Sequence, residues 1–473
     1  MRAPPLRVKW IVRGLLVLIV IGSFGVSAAL TANYEPPEIQ AGAVENPANG
    51  TTYVAVQGFN FQGEGSGKKP ARLVAAGPNA QPEWIYNASK RGVSWFYNTD
   101  PLPNGNLLVV NTAPGKTLVY ELDPDTKERV WQQNFSIEDT HDVDLINGDQ
   151  LLVANMREYD NGTSNDRLFI YDLSEDRIVW EWYFKNHYPN STDGGMSEDW
   201  THVNDVDKIS DGEYLISPRN FDQVIVVNRS TKNITMQLGA DQNYSVLNEQ
   251  HDPQYLESEN GTPTILVTDS ENDRVVEYSC VNRTDTGDCN WQQVWTVGDD
   301  QLNWPRDADR LPNGNTLIVD SLGHRVIEVT PTGEIVWEVY TPWAPFDAER
   351  AAYGNEPGGP TMLDQNVSGA YQLSGSAGET PGTGDGTETF PTWLKDTFES
   401  TPVEKQAVEF AETWEGVSQW IKPVWMAPWG LVYLSVGSLL LVLWASVEAF
   451  VHRQRIVNSV RRTVARVRRA GFL

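Results

Sequence analysis

The stretch RDADRLPNGNTLIVD (306–320), with RVIEVTP (325–331) and EIVWEV (334–339) after it, is one complete copy of a unit that recurs along the chain. Each unit has an aspartate strand, a glycine turn, an apolar strand, a third strand and, in most copies, a tryptophan-bearing strand. Repeats of about 40 to 60 residues built from short strands are typical of β-propeller blades. The unit therefore predicts an all-β fold with four-stranded blades.

The position directly before the aspartate can be compared in five copies of the unit, and we call residues at this position residues of the same phase. The copies begin at NTDPLPNGNLLVV (98–110), HDVDLINGDQLLVA (141–154), NDVDKISDGEYLIS (204–217), HDPQYLESENGTPTILVT (251–268) and the stretch at 306–320. The residues of that phase are Thr99, His141, Asn204, His251 and Arg306. If the units surround an axis, we expect these side chains to converge at one mouth of the central channel.

A sixth aspartate strand, PFDAER (345–350), puts Phe346 at the same phase, but no complete blade follows it. Strand-like segments at the other end, TTYVAVQG (51–58), ARLVAAG (71–77) and PEWIYNA (82–88), have no aspartate strand of their own. Together the four segments make one blade and pin the end of the ring to its start. We predict six blades over residues 45–358, a closure that leaves no open sheet edge.

Apolar segments lie at both ends of the chain. An uncharged run at 14–30 follows several basic residues, so 1–31 is either a signal anchor or a signal peptide. A second run, 426–451, is long enough to cross a bilayer, and 452–473 is a basic tail. Positive charge at both outer flanks predicts a cell-membrane protein with transmembrane helices at both ends, cytoplasmic termini and an extracellular propeller.

Between the propeller and the second apolar run, the composition changes twice. Residues 359–390 are rich in Gly, Ser, Thr and Pro without apolar periodicity, which predicts a flexible linker. Residues 391–425 carry apolar and aromatic residues that predict an amphipathic helix at the membrane surface.

The composition indicates the environment of the protein. The net charge of −27 makes nucleic acid an unfavourable partner, and the density of acids resembles that of proteins from salt-loving archaea. Eleven Asn-x-Ser/Thr sequons make N-glycans possible partners on a glycosylated exterior. The only two cysteines, Cys280 and Cys289, predict a disulfide in an oxidising exterior, since they lack nearby histidines for zinc.

The predicted channel mouth has a distinctive chemistry. His202 and Arg219 lie close to the phase occupied by His141, Asn204 and His251. Imidazoles, an amide and guanidinium groups supply many donors and no fixed negative charge. They suit an oxyanion such as a sulfuryl, phosphoryl or carboxylate group. The alternative is that these residues only bond strand ends as structural plugs.

Four features follow one another along the chain: a strand-start histidine, the His-x-Asn pair (His202, Asn204), the arginine of SPRN (Arg219) and the HD at His251. Their order resembles that of the aryl-sulfate sulfotransferases, and the resemblance covers residues 80–350. Members of that family are six-bladed propellers that move a sulfuryl group between phenols without a nucleotide donor. The resemblance implies an aryl sulfate and a hydroxyl acceptor as small-molecule partners, and no cofactor. In the bacterial enzymes a disulfide lies just before the nucleophilic histidine, whereas both cysteines here follow it.

By position, His251 resembles the family's nucleophile, which becomes sulfated. His141, His202, Asn204 and Arg219 resemble the groups that hold the sulfuryl oxygens. His141 is also suited to acid–base catalysis. Arg306 shares the phase, and we assign it to substrate binding from that position alone. No metal ligand is assigned among these residues.

Two other functions remain compatible with the sequence. Three histidines on adjacent strands could bind a metal in a propeller lyase, although arginines beside a dication are unfavourable. A non-catalytic surface propeller that binds a glycan or a protein is the other alternative, because one fold serves many functions.

Overall fold

A computed structural model of the protein describes residues 6–60, 67–283, 289–299, 301–375 and 389–469, with side chains described only within 10–454. The chain forms two compact units: Pro37–Gly386, and Met1–Pro36 together with Thr387–Leu473.

The unit Pro37–Gly386 consists of short β-strands. In chain order they are β1 (Gln40–Val44), β2 (Thr52–Val56), β3 (Arg72–Ala76), β4 (Pro82–Asn87), β5 (Trp95–Pro101), β6 (Leu107–Ala113), β7 (Lys116–Leu122), β8 (Arg129–Phe135), β9 (Val143–Ile146), β10 (Gln150–Asn155), β11 (Tyr159–Asp160), β12 (Thr163–Ser164), β13 (Arg167–Asp172) and β14 (Arg177–Tyr183). They continue with β15 (Val203–Ser210), β16 (Glu213–Pro218), β17 (Gln223–Asn228), β18 (Ile234–Gly239), β19 (His251–Glu257), β20 (Pro263–Asp269), β21 (Arg274–Arg283), β22 (Cys289–Val297), β23 (Pro305–Arg310), β24 (Thr316–Asp320), β25 (Arg325–Val329), β26 (Ile335–Tyr340), β27 (Pro345–Arg350) and β28 (Gly369–Tyr371). Short 3-10 turns lie at Ser89–Arg91, Phe184–Asn186, Thr192–Gly194, Arg219–Phe221 and Ser270–Asn272.

These strands form a six-bladed propeller. In ring order the blades are β27-β2-β3-β4, β5–β8, β9-β10-β13-β14, β15–β18, β19–β22 and β23–β26, which we number one to six. Each blade is an antiparallel meander, and β11 and β12 form a separate hairpin within an insertion of blade three. The predicted six blades are confirmed. Four strands describe most of them, whereas blades five and six each have an additional outer strand.

The ring closes through blade one. The inner strand β27 comes from the far end of the propeller and pairs with β2, with Val54 opposite Ala348 and Ala55 opposite Asp347. The N-terminal segments and PFDAER therefore combine into one blade, as predicted. Hydrogen bonds between distant parts of the chain therefore hold the ring shut.

The inner strands are tied to one another by aspartate carboxylates. Asp142 Oδ2 of blade three accepts the Val206 backbone N–H of blade four at 2.9 Å. In blade six, Asp307 Oδ2 accepts the Ala348 N–H of blade one at 2.8 Å. Asp347 continues the pattern with the Thr99 N–H of blade two, again at 2.8 Å. The repeated aspartate thus bonds one blade to the next.

The repeated tryptophans make a second set of links at the outer strands. Trp182 Nε1 of blade three donates to the Lys232 carbonyl of blade four, and Trp295 Nε1 of blade five donates to the Pro331 carbonyl of blade six, both at 2.9 Å. Trp337 of blade six donates to the Pro78 carbonyl of blade one at 3.0 Å. The three indoles are fully buried, so the donor is satisfied while the ring fills the space between blades.

The structure differs from the predicted linker at 359–390. Residues 359–375 pack on the propeller: β28 pairs in parallel with β22, and the buried Met362 donates its N–H to Glu277 Oε1 at 2.8 Å. A Cβ at Gly359 would lie 2.2 Å from the Leu311 carbonyl oxygen, so this glycine allows a close backbone approach. Residues 376–388 of the predicted linker lie outside the described residues.

The predicted disulfide is confirmed. Cys280 and Cys289 are bonded, with their Cα atoms 5.2 Å apart, and join β21 to β22 at the edge of blade five.

The second unit is helical, with α1 (Leu6–Ala32), α2 (Phe390–Phe398), α3 (Glu404–Ile421) and α4 (Pro428–Arg469). Where one amphipathic helix was predicted over 391–425, two helices form, because Pro402 restricts the residue before it and has no N–H to continue a helix. Trp10–Ala32 and Pro428–Gln454 are long and apolar enough to cross a membrane. Most side chains of the predicted basic tail (452–473), and residues 1–5, lie outside the described residues.

One buried ion pair between blades one and six provides a test of the ring closure. Arg350 Nη2 lies 2.7 Å from Glu328 Oε2, and both side chains are buried. We expect Glu328→Gln to lower the free energy of unfolding by about 3–5 kcal/mol, because it leaves a buried guanidinium without its counter-charge. Chemical denaturation of the full chain in detergent measures this.

The matched control is Glu175→Gln, which removes an exposed partner of Arg177 and should leave the denaturation midpoint unchanged. Equal midpoints for Glu328→Gln and the control would contradict a closing role for the ion pair.

Candidate functional site

The side chains predicted to converge meet around one aromatic ring, that of Phe346. Its centroid lies 5.2 Å from the His141 ring, 5.9 Å from the His251 ring and 4.6 Å from the guanidinium carbon of Arg306. His202 joins this group with its ring 5.0 Å from that of His141. The structure therefore brings residues of blades one, three, four, five and six into one pocket.

The backbone is left-handed just before most inner strands. We call the residue directly before the repeat aspartate the strand-start residue. Two positions before the strand-start residue, φ is positive in five of the six blades: the residues are Asp139, His202, Glu249, Trp304 and Ala344, with φ between 41° and 58°. None is a glycine, and such conformations are uncommon for other residues. Non-glycine residues held at positive φ cluster at functional sites in proteins.

His251 has one defined proton position. Its Nδ1 lies 2.9 Å from Ser270 Oγ and 3.1 Å from the Glu249 carbonyl oxygen. The Ser270 hydroxyl donates its single hydrogen to the Pro305 carbonyl at 2.7 Å, so it can only accept from His251. Nδ1 therefore carries the proton, and Nε2 has a lone pair. Nε2 is buried and has no hydrogen-bond partner.

His202 is oriented by a network of salt bridges and hydrogen bonds. Its Nδ1 lies 2.9 Å from Asp199 Oδ2, which fixes the proton on that nitrogen. Arg157 donates from Nε to Asp199 at 2.8 Å and pairs through Nη1 with Asp139 at 2.5 Å. The Tyr97 hydroxyl donates to the other oxygen of Asp139 at 2.7 Å. The network connects His202 of blade four to Tyr97 of blade two.

His141 lies against the same network but is held less directly. Its ring is 4.0 Å from that of Tyr97, and its Nε2 is 3.9 Å from Asp139 Oδ1, beyond hydrogen-bond distance. Nδ1 is buried without a hydrogen-bond partner. This imidazole is packed in place by rings and keeps an unpaired nitrogen.

Asn204 and Arg219 are anchored by blade five. Asn204 Nδ2 donates to the Gln250 carbonyl at 2.9 Å, and its Oδ1 is buried without a partner. Arg219 is in the 3-10 turn after β16. Its Nη2 lies 3.3 Å from Glu249 Oε2, and its Nε donates to Asn220 at 3.0 Å.

Arg306 is held by Trp304 and Gln57. Its guanidinium carbon stacks 3.8 Å from the Trp304 ring, and Nη1 donates to Gln57 Oε1 at 3.2 Å. The Nε–H is buried and has no partner. This side chain carries a buried cation with a free donor.

Burial and mutual repulsion keep the imidazoles neutral. Burial, then the charge of Arg219, lowers the pKa of His202 to about 3 despite the raising effect of Asp199. The pKa of His251 is lowered well below its usual value by burial, Arg306 and Arg219, and that of His141 by burial, His202 and Arg306. Burial lowers the pKa of Arg306 to about 9, so it stays charged at neutral pH.

The sequence analysis missed the supporting residues: Gln57, Tyr97, Asp139, Arg157, Asp199, Ser270 and Trp304. A signal for three of them was present. Tyr97, Asp139 and Trp304 stand two residues before the strand-start position, as His202 does, so they share a second fixed position of the repeat. The others lie on separate loops or on strands of other blades and have no such phase.

Other residues of interest lie elsewhere or are structural. Thr99 is fully buried and bonds Asp347 through its backbone. The ring of His187 stacks at 4.4 Å on Trp182, in the outermost strand of blade three. His324 Nδ1 accepts the Ala344 N–H at 3.2 Å and supports the loop before β27.

Residues 116–341 match the family model described as Arylsulfotransferase (ASST). The matched segment contains all six predicted pocket residues and supports a sulfotransferase-like propeller. None of the curated proteins matches the chain.

Among solved structures, a Bacteroides caccae protein of unknown function aligns at 13% identity over 62% of this chain and 98% of its own, with a TM-score of 0.41. A Staphylococcus aureus virginiamycin B lyase aligns at 9% identity over 51% and 69%, with a TM-score of 0.32. The Myceliophteria thermophila Cps50 (Swd1) propeller aligns at 11% identity over 67% and 91%, with a TM-score of 0.36. Scores at this level indicate nothing about shared function.

The protonation of His202 and His251 can be measured directly. We expect the native chain to keep the His202 ring neutral as the pH falls to about one unit above its pKa of about 3, and to keep the His251 ring neutral well below the ordinary histidine range, whereas the unfolded chain takes up both protons near pH ~6.5. The unfolded state then binds more protons between the two values, so this pair lowers stability as the pH falls through that window.

Nitrogen-15 shifts of labelled histidine report ring protonation, and single substitutions assign the six histidines. The denatured chain is the control. A native titration midpoint near that of the denatured chain would contradict the prediction.

Proposed function

We propose that the protein is a sulfotransferase that moves a sulfuryl group from an aryl sulfate ester to a phenolic or other hydroxyl acceptor without a nucleotide. His251 is the nucleophile. The observation that carries this proposal is the neutral imidazole of His251, whose Nδ1–H is held by Ser270 and whose unpartnered Nε2 is buried in a ring that feels the positive charges of Arg306 and Arg219. The family match over 116–341 supports the reaction class.

In the first half-reaction, the lone pair of His251 Nε2 attacks sulfur and the sulfur–oxygen ester bond breaks. The bonding electrons leave with the phenolate oxygen, and the histidine becomes an N-sulfo imidazolium. Its Nδ1–H, still bonded to Ser270 and the Glu249 carbonyl, stabilises the new positive charge. The pocket has no described carboxylate bonded to His251 that would repel the incoming anion.

In the second half-reaction, the acceptor oxygen attacks the same sulfur and the nitrogen–sulfur bond breaks. The electron pair returns to Nε2, and the acceptor proton goes to a base. His141 is suited to this role, because its Nδ1 is unpaired and it lies across the Phe346 ring from His251. The proton then passes to the phenolate or to water, which balances the reaction.

Donors surround the position of the sulfuryl oxygens. Arg306 offers a free Nε–H, Arg219 a positive charge, and Asn204 the second hydrogen of its Nδ2. His202 differs, because its proton is on Nδ1 and its Nε2 is an acceptor. It becomes a donor only after taking up a proton, and the carboxylate of Asp199 stabilises that cation.

The chemistry predicts a covalent intermediate. Incubation of the full chain with an aryl sulfate should add one sulfuryl group to a peptide containing His251, and a phenol should remove it. We expect His251→Ala to abolish the adduct and to lower transfer by about three orders of magnitude or more, since the nucleophile is lost. Mass spectrometry and release of the phenol measure the two effects.

His187→Ala is the matched control, because this histidine stacks on Trp182 in an outer strand. Transfer that survives His251→Ala would refute the role of His251. Glycan or protein binding by a chain that forms no adduct with any aryl sulfate would favour the non-catalytic surface propeller, and activity lost to a chelator and restored by zinc would favour the lyase.

We further propose that α1 and α4 anchor the propeller at the outer face of a cell membrane, with both termini in the cytoplasm. The two helices pack together: Ser27 Oγ donates to the Gly430 carbonyl at 2.7 Å, and a Cβ at Gly430 would lie 2.6 Å from Thr31 Oγ1. Arg13 binds Glu448 through two hydrogen bonds of 2.7 Å. Charged residues within apolar helices usually pair with one another. Because Arg13 of α1 supplies the partner of Glu448, we propose that α1 is retained as an anchor.

The helix pair gives a charge-swap prediction. Arg13→Glu and Glu448→Arg should each lower the unfolding temperature of the full chain in detergent, because each puts like charges together in apolar surroundings. The double variant should restore most of the loss. N-terminal sequencing should find residues 1–31 in the mature chain.

Arg453→Glu, on the same helix as Glu448 and in contact with Phe450, is the control and should have little effect. Loss of residues 1–31 from the mature chain, or a double variant no better than the singles, would contradict the pairing.

A further inference from the structure

The central channel beside the histidine pocket is lined by carboxyl groups. Asp142, next to His141, and Asp205 and Asp207, on β15, each place a carboxylate oxygen within 4.8 Å of the other two. Asp205 and Asp207 alternate along one strand and so face the same side, while Asp142 reaches them from the neighbouring blade. The ring topology therefore brings three acids to one point on the axis.

Two oxygens of this group are buried without a hydrogen-bond donor: Asp205 Oδ2 and Asp207 Oδ2, in residues that are only 3% and 6% exposed. The carboxyl of Asp205 also faces that of Asp252, and the two can bond each other only through a shared proton. The amide oxygen of Asn98 is also buried and unpartnered, and the Nδ2 of the same amide donates to Asp142 Oδ1. Asn98 thus offers a neutral oxygen next to Asp142. Buried polar atoms without partners are costly, and a cation would satisfy all of them.

Among the described residues, no lysine or arginine forms a salt bridge with Asp142, Asp205 or Asp207. Carboxylates buried side by side repel one another, so such a cluster is stable only when protons or a cation neutralise it.

We propose that Asp142, Asp205 and Asp207 bind one divalent cation of the calcium type, with Asn98 Oδ1 as a neutral ligand. The donor set is oxygen only, which hard cations prefer. Ca²⁺ accepts irregular sets of protein oxygens, whereas Mg²⁺ demands near-octahedral geometry and usually keeps several waters, so a buried group of protein oxygens suits Ca²⁺. The ion would join blade three to blade four directly below His141 and Asn204, independently of the sulfotransferase proposal.

The test is direct binding of Ca²⁺ to the full chain. The protein is purified in detergent, stripped with a chelator and dialysed against Ca²⁺ in about 1 M KCl, where the Debye length of about 3 Å screens the acidic surface. We expect one retained Ca²⁺ per chain, at least about ten-fold weaker Mg²⁺ binding, and a Ca²⁺-dependent rise in unfolding temperature. Asp207→Asn should lose the ion and the thermal shift.

The matched control is Asp309→Asn. Asp309 is also buried in the channel with an unpartnered Oδ2, but it is outside the group of three. It should keep the ion and the thermal shift. Asp205→Asn replaces Asp207→Asn if the latter does not fold. Any one of three results would overturn the proposal. These are a wild-type chain that retains no Ca²⁺, binding of Mg²⁺ that is as tight as that of Ca²⁺, and equal losses in Asp207→Asn and Asp309→Asn.

Discussion

Hydrogen bonds between neighbouring inner strands are the interaction on which the rest of this structure depends. A carboxylate at the start of one inner strand accepts a backbone N–H from the next, as Asp142 does from Val206 and Asp347 from Thr99. Indole N–H groups link the outer strands in the same rotational sense. Because β27 pairs with β2, the last inner strand is built into the first blade, and the bonds of Asp307 and Asp347 link blades six, one and two across this closure. The pocket exists only while the ring is closed.

This constraint explains why the conspicuous residues stand where they do. Three aspartates of the repeat, Asp142, Asp307 and Asp347, hold neighbouring blades together, whereas the residue before the aspartate varies in chemistry from blade to blade. Phe346 takes that position in blade one and supplies the ring that the others contact. The sequence placed Phe346 at this phase, and in the structure its ring is the centre of the cluster.

The sequence predicted the blades well because a propeller is encoded by local repetition: an aspartate, a glycine turn and, in most copies, a tryptophan. It failed at 359–375, where the composition indicated flexibility but Gly359 in fact permits contact with the backbone at Leu311. For the pocket, residues with a fixed phase were found, such as His141 and His251. Arg157 and Ser270 were not, because they reach the pocket from other strands or loops. Only the three-dimensional fold shows that Arg157 pairs with Asp139 and Asp199, and that Ser270 bonds His251.

Burial favours the neutral form of titratable groups in both the pocket and the channel, so it shifts the pKa of the histidines and of the acids in opposite directions. Burial lowers the pKa of the histidines and keeps them neutral, which a nucleophile requires, while Arg306 remains charged. In the channel, burial raises the pKa of Asp142 to about 7 and of Asp144 to about 6, so these carboxyls hold protons that exposed acids would lose. His141 and Asp142 are consecutive in sequence, and the boundary between the two regions passes between them. A change of charge on either side of that boundary therefore acts on the other at short range through a buried medium, where Coulomb interactions are strong.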